Sequence, residues 1–390
     1  MSAPDLGAAE VDAVVRVLQT SFLSLGPQVA EFEKNFAAFL GARHAIAVAS
    51  GTAGLHLCVI AAGIGDGDLV ITTPFSFIAS ANVILYERAI PIFVDVDPVT
   101  GNISPALIAE CARDLSEGEK AAQRWLPPIF RQTKRQPGKL KAVLPVHAFG
   151  QPADMDPIMA IARQRGLMVI EDACEAIGAE YKGRKAGMFG DAAVFAFYPN
   201  KQMTTAEGGM IVTSRDDWPA LFRSLRNQGR DVFDAWLNHT RLGYNYRLDE
   251  MSAALGVIQL RRLDELLAKR DQVARWYGER LQHIDALEIP RAVPTATRMS
   301  WFVYVVRIKP PARRDEVMRR LEDEGIPSRP YFTAIHLQPF YQEKFGYKRG
   351  DFPIAEYLSD VSLALPFSSV MTEAEVDFVC ARLRRIMSAA

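Results

Sequence analysis

The chain has 390 residues, of which 49% are hydrophobic and 23% charged, and this composition predicts a globular protein with one large core and a second, smaller one. Its 45 basic and 46 acidic residues are interspersed and give a formal net charge of −1. This balance excludes a general electrostatic surface for nucleic acid or an anionic membrane, so any anion must be bound locally.

Neither a targeting signal nor a metal-binding pattern is visible in the sequence. The first ten residues lack a basic stretch followed by an apolar core, and no apolar run approaches the roughly 20 residues that cross a bilayer. The cysteines and histidines have neither disulfide-framework nor metal-ligand spacing. We therefore expect a cytoplasmic protein that binds no metal and has reduced thiols at Cys58, Cys111, Cys174 and Cys380.

Between about residues 44 and 213, short apolar runs alternate with helix-length segments. The runs are rich in Val, Ile and Phe without period-two alternation, which is typical of strands covered on both faces of a mainly parallel sheet. The seven predicted strands are 44–49, 69–72, 91–96, 141–146, 167–170, 192–197 and 210–213. This pattern predicts an α/β domain.

The first strand leads into the sequence Ser50-Gly51-Thr52, where a helix is predicted to begin. The free N–H groups and positive dipole of a helix start bind phosphate, and Gly51 lets the backbone approach closely. Such turns are common, so this one alone identifies no ligand. After the next strand, Phe75 and Phe77 could cover the face of a flat ring, although core packing is the commoner role for an aromatic side chain.

Residues 116–139 interrupt the alternation with a polar, proline-containing stretch. It is basic through Arg124, Arg131, Lys134, Arg135 and Lys139. The segment is predicted to be either a solvated surface insertion or a loop that helps to hold a diphosphate, and the sequence leaves both open.

Two charged positions follow predicted strands at the same edge of the sheet. Asp172 ends the fifth strand, where a carboxylate faces the ligand crevice of an α/β protein, and it could bind magnesium, cap a helix or pair with a protonated ring nitrogen. Lys201 lies in the turn between the last two strands. An amine that adds to an aldehyde must be neutral part of the time, which partial desolvation promotes, so Lys201 is a candidate nucleophile, with an ordinary turn lysine as the alternative.

After Arg247, a long helical pattern runs from Asp249 to about Leu281, with Asp249 as the candidate N-cap. The remaining residues predict a strand at 301–308, a helix at 313–324 and a closing helix at 372–387. We expect a large domain at residues 1–250 and, at 251–390, a bridging helix followed by a small domain.

Together these features resemble the DegT/DnrJ/EryC1/StrS family of sugar aminotransferases, which are fold type I pyridoxal-phosphate enzymes. The resemblance runs nearly end to end and is carried by 25–33 (LGPQVAEFE), 50–52 (SGT), 71–77 (ITTPFSF), 145–150 (PVHAFG), 170–173 (IEDA), 201–209 (KQMTTAEGG), 225–229 (LRNQG), 243–247 (GYNYR) and 336–339 (HLQP). It implies an α/β large domain with a mainly parallel seven-stranded sheet and a smaller α+β C-terminal domain.

The resemblance also implies a cofactor, pyridoxal 5′-phosphate, which becomes pyridoxamine 5′-phosphate in the half-reaction. Lys201 would be the Schiff-base lysine, Asp172 would contact the pyridine nitrogen and Phe77 would stack on the ring. The cofactor phosphate would be bound by Gly51 and Thr52.

The implied partners are L-glutamate, its product 2-oxoglutarate, a nucleotide-linked keto sugar and a second copy of the chain. In such a homodimer with shared active sites, Asn245 would reach the phosphate of the other subunit's cofactor, and a monomer would be inactive. Tyr331 and His336 fall where the family tends to place sugar-contacting residues.

Two departures from the family pattern bear on the site. Ala196 stands where the family usually has a phosphate-binding serine, and Glu175 stands where a glutamine is frequent. Glu175 is expected at the cofactor, and perosamine-synthase-like members of the family, which act on 4-keto sugars, share a glutamate here. The resemblance therefore favours amination at C4, with C3 still open.

Two other functions remain as alternatives. The same site chemistry would support amination of a keto-cyclitol, and a catalytically silent relative could bind a sugar nucleotide as a regulator. Dehydratases of the family have histidine in place of the lysine, so Lys201 argues against that activity.

Overall fold

A computed structural model describes residues 2–131, 137–231 and 238–388. Its helices are α1 Ala8–Leu18, α2 Pro27–Leu40, α3 Gly51–Ala61, α4 Ala79–Tyr86, α5 Pro105–Glu117, α6 Glu119–Ala122, α7 Pro128–Arg131, α8 Met155–Arg165, α9 Trp218–Arg226, α10 Glu250–Arg261, α11 Leu263–Leu281, α12 Arg314–Asp323, α13 Pro339–Phe345, α14 Pro353–Val361 and α15 Glu373–Ser388. Short 3₁₀ helices occupy Ala148–Gly150 and Ile335–Leu337. Within the described ranges, no helix has the length and apolarity to cross a membrane.

The strands form one large and two small sheets. They are β1 His44–Val48, β2 Leu69–Thr72, β3 Ile90–Phe93, β4 Leu140–Val143, β5 Met168–Asp172, β6 Glu180–Tyr181, β7 Arg184–Lys185, β8 Ala192–Ala196, β9 Gly209–Thr213, β10 Leu287–Glu288, β11 Ala296–Arg298, β12 Tyr304–Ile308, β13 Arg329–Pro330 and β14 Ser362–Leu365. The seven-stranded sheet has the order β1-β9-β8-β5-β4-β2-β3, and only β9 runs against its neighbours.

The large sheet is buried on both faces, as its apolar strand patterns predict. Successive residues of β8 point into two different cores. Phe195 packs with Phe32 and Phe36 of α2, whereas Val194 packs with residues of α3 and α9. Helices on both faces exclude water from the strands, which is why these segments are continuously apolar. The seven predicted strands are the seven strands of this sheet, and the predicted α/β class is confirmed.

The C-terminal part has its own antiparallel sheet, in the order β10-β12-β14-β13, packed against α11, α12 and α15. This agrees with the predicted small α+β domain. The predicted single helix over residues 249–281 is wrong in one respect, because the chain breaks at Arg262 into α10 and α11. Arg262 binds Asp5 and Glu10 near the N-terminus, a tertiary contact that apolar periodicity does not encode. The domain boundary at residue 250 stays a prediction.

The basic insertion is partly accounted for by local contacts. Arg124 pairs with Glu110 and Asp114, and Arg131 donates to the carbonyl oxygens of Leu126 and Arg124. Lys134 and Arg135 lie outside the described residues. The contacts of Arg124 and Arg131 support the surface-insertion alternative for this part of the segment.

Glu171 joins the strand that carries Asp172 to the turn that leads into β8. Successive strand residues point to opposite faces, so Glu171 is directed away from its neighbour. Its two oxygens accept hydrogen bonds from the backbone N–H groups of Gly187, Phe189 and Gly190 and from His147 Nε2, at 2.7–2.9 Å. Burial opposes ionisation, but these donors hold the pKa of Glu171 below its ordinary value.

We predict that Glu171→Gln lowers the free energy of unfolding by about 3 kcal/mol, because the new amide group would face two N–H donors. Since the folded pKa is lowered, the carboxylate's contribution is complete above the unfolded pKa of about 4.3 and is lost as the pH falls through the folded pKa. The measurement is urea unfolding of both proteins between pH 7 and pH 3.

The matched control is Glu31→Gln, which loses only an exposed ion pair with Arg261 and is expected to cost less than about 0.5 kcal/mol. Equal effects of the two substitutions would contradict the role given to Glu171.

Candidate active site

A cleft of about 600 Å³ opens at the C-terminal ends of the parallel strands. Its wall is formed mainly by turns and helix starts that follow strands of the large sheet, and by Phe302 and residues 330–333 of the C-terminal part. Of the residues selected from sequence, the cleft brings together Gly51, Thr52, Phe77, Asp172, Glu175, Lys201 and Tyr331. The structure therefore places seven of the predicted positions around one space.

The start of α3 forms one end of the cleft. Ser50 is its N-cap, and the Ser50 hydroxyl accepts a hydrogen bond from Ala53 N–H at 3.1 Å. A Cβ on Gly51 would lie 2.8 Å from Ala196 Cβ and 2.8 Å from Cys174 Sγ, so only glycine fits. Ala196 therefore lies directly against this turn. With Ser50 engaged as the cap, the turn offers an anion its first-turn N–H groups and the Thr52 hydroxyl.

Lys201 lies in the turn after β8 with a side chain that is only 13% exposed. Its Nζ is 3.6 Å from Glu175 Oε1 and 3.9 Å from the centre of the Phe302 ring. Phe302 comes from the C-terminal part and was missed by sequence reasoning, since nothing in its neighbourhood distinguishes it from the adjacent aromatic residues. The ring and the carboxylate confine the amine between them.

Two carboxylates of the cleft, Asp172 and Glu175, are buried, and burial raises the pKa of each. Asp172 accepts a hydrogen bond from Cys174 N–H at 3.1 Å, and Glu175 accepts one from Phe149 N–H at 2.9 Å. In both cases Lys201 acts in the opposite direction to burial and favours the charged form. A cationic group bound beside Asp172 would therefore stabilise its carboxylate.

Arg270 of α11 is a second functional residue that the sequence did not reveal. It is 2% exposed, and it donates to the carbonyl oxygens of Lys201 at 2.8 Å and of Trp301 and Phe302 at 3.1 Å. Within the described part of the chain it has no carboxylate partner, and burial lowers its pKa to about 10. Arg270 thus ties the backbone of Lys201 to the backbone of Phe302.

Two of the predicted site residues lie elsewhere. Asn245 is exposed and does not belong to the wall of its own subunit's cleft. His336 is fully buried, and its Nε2 lies 2.9 Å from Glu356 Oε1, so its side chain is not presented to the cleft. The HLQP motif that suggested His336 marks a local 3₁₀ turn, whose direction the sequence does not specify.

We predict that Arg270→Lys lowers the free energy of unfolding by about 2–3 kcal/mol, because a single ammonium group cannot reach carbonyl oxygens of both segments. Arg275→Lys, at an exposed arginine of the same helix that contacts Gln272, should change it by less than about 0.5 kcal/mol. Urea unfolding measures both. An Arg270→Lys protein as stable as the parent would refute the proposed link between the two backbone segments through Arg270.

The comparisons with known proteins agree with the motif resemblance. A profile of the DegT/DnrJ/EryC1/StrS aminotransferase family matches residues 4–384. The GDP-perosamine synthase of Caulobacter vibrioides is 39% identical over 391 residues, which cover 99% of this chain and 98% of that protein. The spore coat polysaccharide biosynthesis protein SpsC of Bacillus subtilis is 37% identical over 403 residues, which cover 100% and 97%.

A crystal structure of a DegT DnrJ EryC1 StrS aminotransferase from Brucella abortus matches with a TM-score of 0.86 at 32% identity and covers 99% of both chains. The similarity in sequence and the similarity in fold thus both extend over almost the whole length of this chain. The chain belongs to the DegT/DnrJ/EryC1/StrS aminotransferase family.

Proposed function

We propose that this aminotransferase uses pyridoxal 5′-phosphate to move an amino group from L-glutamate to a keto group of a nucleotide-linked deoxysugar, at C4 in preference to C3, for polysaccharide or glycoconjugate biosynthesis. The observation that carries the proposal is the convergence of Lys201, Asp172 and the start of α3 on one cleft. An amine, a buried carboxylate and an anion-binding turn are the three groups that this cofactor requires.

The residues of the cleft fit pyridoxal phosphate. Gly51 and Thr52 at the start of α3 would hold the phosphate, and Asp172 would pair with the ring nitrogen. Phe77 is 65% exposed on the cleft wall, so a ring can stack on it without displacing core contacts. The Oδ1 atom of Asn200, also on the wall, is buried without a hydrogen-bond partner among the described residues. When bound, the cofactor supplies an electron sink for the carbanion formed at the reacting carbon.

Lys201 has two tasks in this reaction. Its Nζ would hold the cofactor through the aldehyde, and the freed amine would serve as the base that takes the proton from the α-carbon of the amino acid and as the acid that returns it. Glu175, 3.6 Å away, stabilises the ammonium form after proton uptake, and Phe302 limits where the amine can swing. Arg270 keeps the lysine backbone in place during both half-reactions.

The choice of acceptor rests on a named relative and on Glu175. The relative named GDP-perosamine synthase favours a nucleotide-linked sugar, and Glu175 favours the C4 position. Tyr331 lies on the cleft wall where a sugar would enter. His336 is buried against Glu356, so it could contact the sugar only after a rearrangement that exposes its side chain.

A homodimer with shared active sites would account for Asn245. This residue faces solvent, and so do the apolar side chains of Phe22, Leu25 and Leu242, which are 54–82% exposed. Exposed apolar side chains that form one patch are typical of a surface that another chain covers. We place Asn245 at the cofactor phosphate of the partner subunit.

We predict that the protein, incubated with L-glutamate and a panel of 3-keto and 4-keto nucleotide sugars, forms 2-oxoglutarate and an amine at C4, identified by mass spectrometry and NMR. Lys201→Ala should reduce the rate by about 10⁴-fold or more, because it removes both the covalent link and the proton carrier. Lys182→Ala, which loses an exposed ion pair with Asp156 and a contact with the Tyr181 ring, both outside the cleft, is the matched control.

Amination of a keto-cyclitol in the same panel, with every nucleotide sugar inert, would replace the proposed acceptor. Normal turnover by Lys201→Ala would overturn the proposed chemistry.

We also predict a pH dependence of cofactor affinity that originates at Asp172. Its pKa is raised in the cofactor-free protein, so acidification through that pKa protonates the carboxyl group and removes the charge that pairs with the ring nitrogen. Affinity should therefore fall as the pH is lowered, and Asp172→Asn should bind about 10–100-fold more weakly at neutral pH without that dependence.

Absorbance titration with pyridoxal phosphate at several pH values measures the effect. Asp156→Asn, at an exposed aspartate, should behave like the parent protein. An Asp172→Asn protein with the parent's affinity and pH profile would exclude Asp172 as the partner of the ring nitrogen.

A further inference from the structure

Asn245 lies between two tyrosines on a short extended segment. Successive residues of such a segment point to opposite sides, so Tyr244 and Tyr246 share the inner face and Asn245 has the outer one. The two tyrosine rings stack at 5.1 Å, and the backbone N–H groups of Tyr244 and Tyr246 donate to Leu225 O and Arg226 O at 2.7 and 2.9 Å. The orientation of Asn245 therefore depends on what holds the two rings.

His56 of α3 holds them. It is 3% exposed, and its ring contacts Tyr244 at 4.8 Å and Tyr246 at 5.9 Å between centroids. Its Nε2 lies 2.9 Å from Glu87 Oε1, and because a carboxylate only accepts, Nε2 carries the proton. In the neutral imidazole, Nδ1 is then the acceptor, and the Tyr246 hydroxyl donates to it at 3.2 Å. Both ring nitrogens of His56 are thus engaged in fixing one orientation.

The same helix begins with the anion-binding turn of its own subunit. His56 follows Thr52 by one helical turn, so the two side chains lie on the same face of α3. The backbone adds a second connection, because Ala49 N–H, next to the N-cap Ser50, donates to Tyr246 O at 2.8 Å. The segment that carries Asn245 is therefore attached to α3 at its start and one turn further along.

We propose that His56, oriented by Glu87, is a positioning residue that presents Asn245 to the cofactor phosphate of the partner subunit. Through His56, the helix that binds the phosphate in one active site fixes the orientation of Asn245, which completes the active site of the partner subunit. This inference rests on the shared-site dimer of the proposed function. It assigns a role to a buried histidine that the chemistry of its own cleft does not use.

The test is cofactor affinity in mixed dimers, read from the absorbance of the covalent link to Lys201. His56→Leu retains volume and removes both hydrogen bonds, and its homodimer should bind pyridoxal phosphate about tenfold more weakly. A differently tagged Lys201→Ala chain is co-expressed with it, and the mixed dimer is purified through both tags. The single competent site then receives Asn245 from the chain with native His56, and its affinity should return to within about twofold of the parent value.

The reciprocal dimer pairs a parent chain with a chain carrying both His56→Leu and Lys201→Ala, and it should remain weak. Tyr246→Phe, which removes only the hydroxyl that donates to His56, should weaken binding in the same direction and in the same subunit pattern. Cys58→Ala, a truncation of a fully buried side chain on the same helix, is the control for general damage to α3 and should leave the affinity unchanged.

Parent-like affinity of the His56→Leu homodimer, or no recovery in the first mixed dimer, would overturn the inference. Asn245→Ala measured in the same arrangements separates it from the proposed function. If Asn245→Ala acts across subunits and His56→Leu does not, only the role of His56 fails. If neither substitution acts across subunits, the shared site itself is wrong.

Discussion

The cleft depends on one buried cation, the guanidinium group of Arg270. A charge in such a place costs free energy unless hydrogen bonds compensate it, and here backbone carbonyl oxygens accept from both terminal nitrogens, whereas Nε has no partner among the described residues. Those oxygens belong to the Lys201 turn and to the segment around Phe302, which are far apart in sequence. Because carbonyl groups are fixed by the backbone, the guanidinium sets the distance between the amine and the aromatic wall that confines it. The side chain of Lys201 can therefore move while its backbone stays in place.

Around Arg270, the positions of the site residues are set by where the parallel strands of the large sheet end. Parallel strands deliver their carboxyl ends to one edge, so Asp172 after β5 and Lys201 after β8 share a crevice with the start of α3. Glu171 uses the opposite face of the same strand to hold the turn that precedes β8. Because successive residues of a strand point to opposite faces, Glu171 supports the fold whereas Asp172 faces the ligand cleft.

The parts predicted from sequence are those with a local signal. Continuous apolar runs predicted all seven strands of the large sheet, and charged or glycine-containing turns directly after them indicated Gly51, Asp172 and Lys201. The residues that were missed act through tertiary contacts. Phe302 and Arg270 meet Lys201 only when the C-terminal part folds back, and the break at Arg262 needs the N-terminal residues Asp5 and Glu10. His336 shows the converse, because a recognisable motif did not specify which way its side chain would point.

If the amine held in this cleft carries the cofactor, the covalent link can be trapped on Lys201. The protein is incubated with pyridoxal phosphate, reduced with borohydride, digested and analysed by peptide mass spectrometry. We expect one reduced pyridoxyl adduct, on Lys201, which is lost when glutamate is added before reduction. An adduct confined to another lysine, such as Lys185 or Lys182, or no adduct at all, would contradict it.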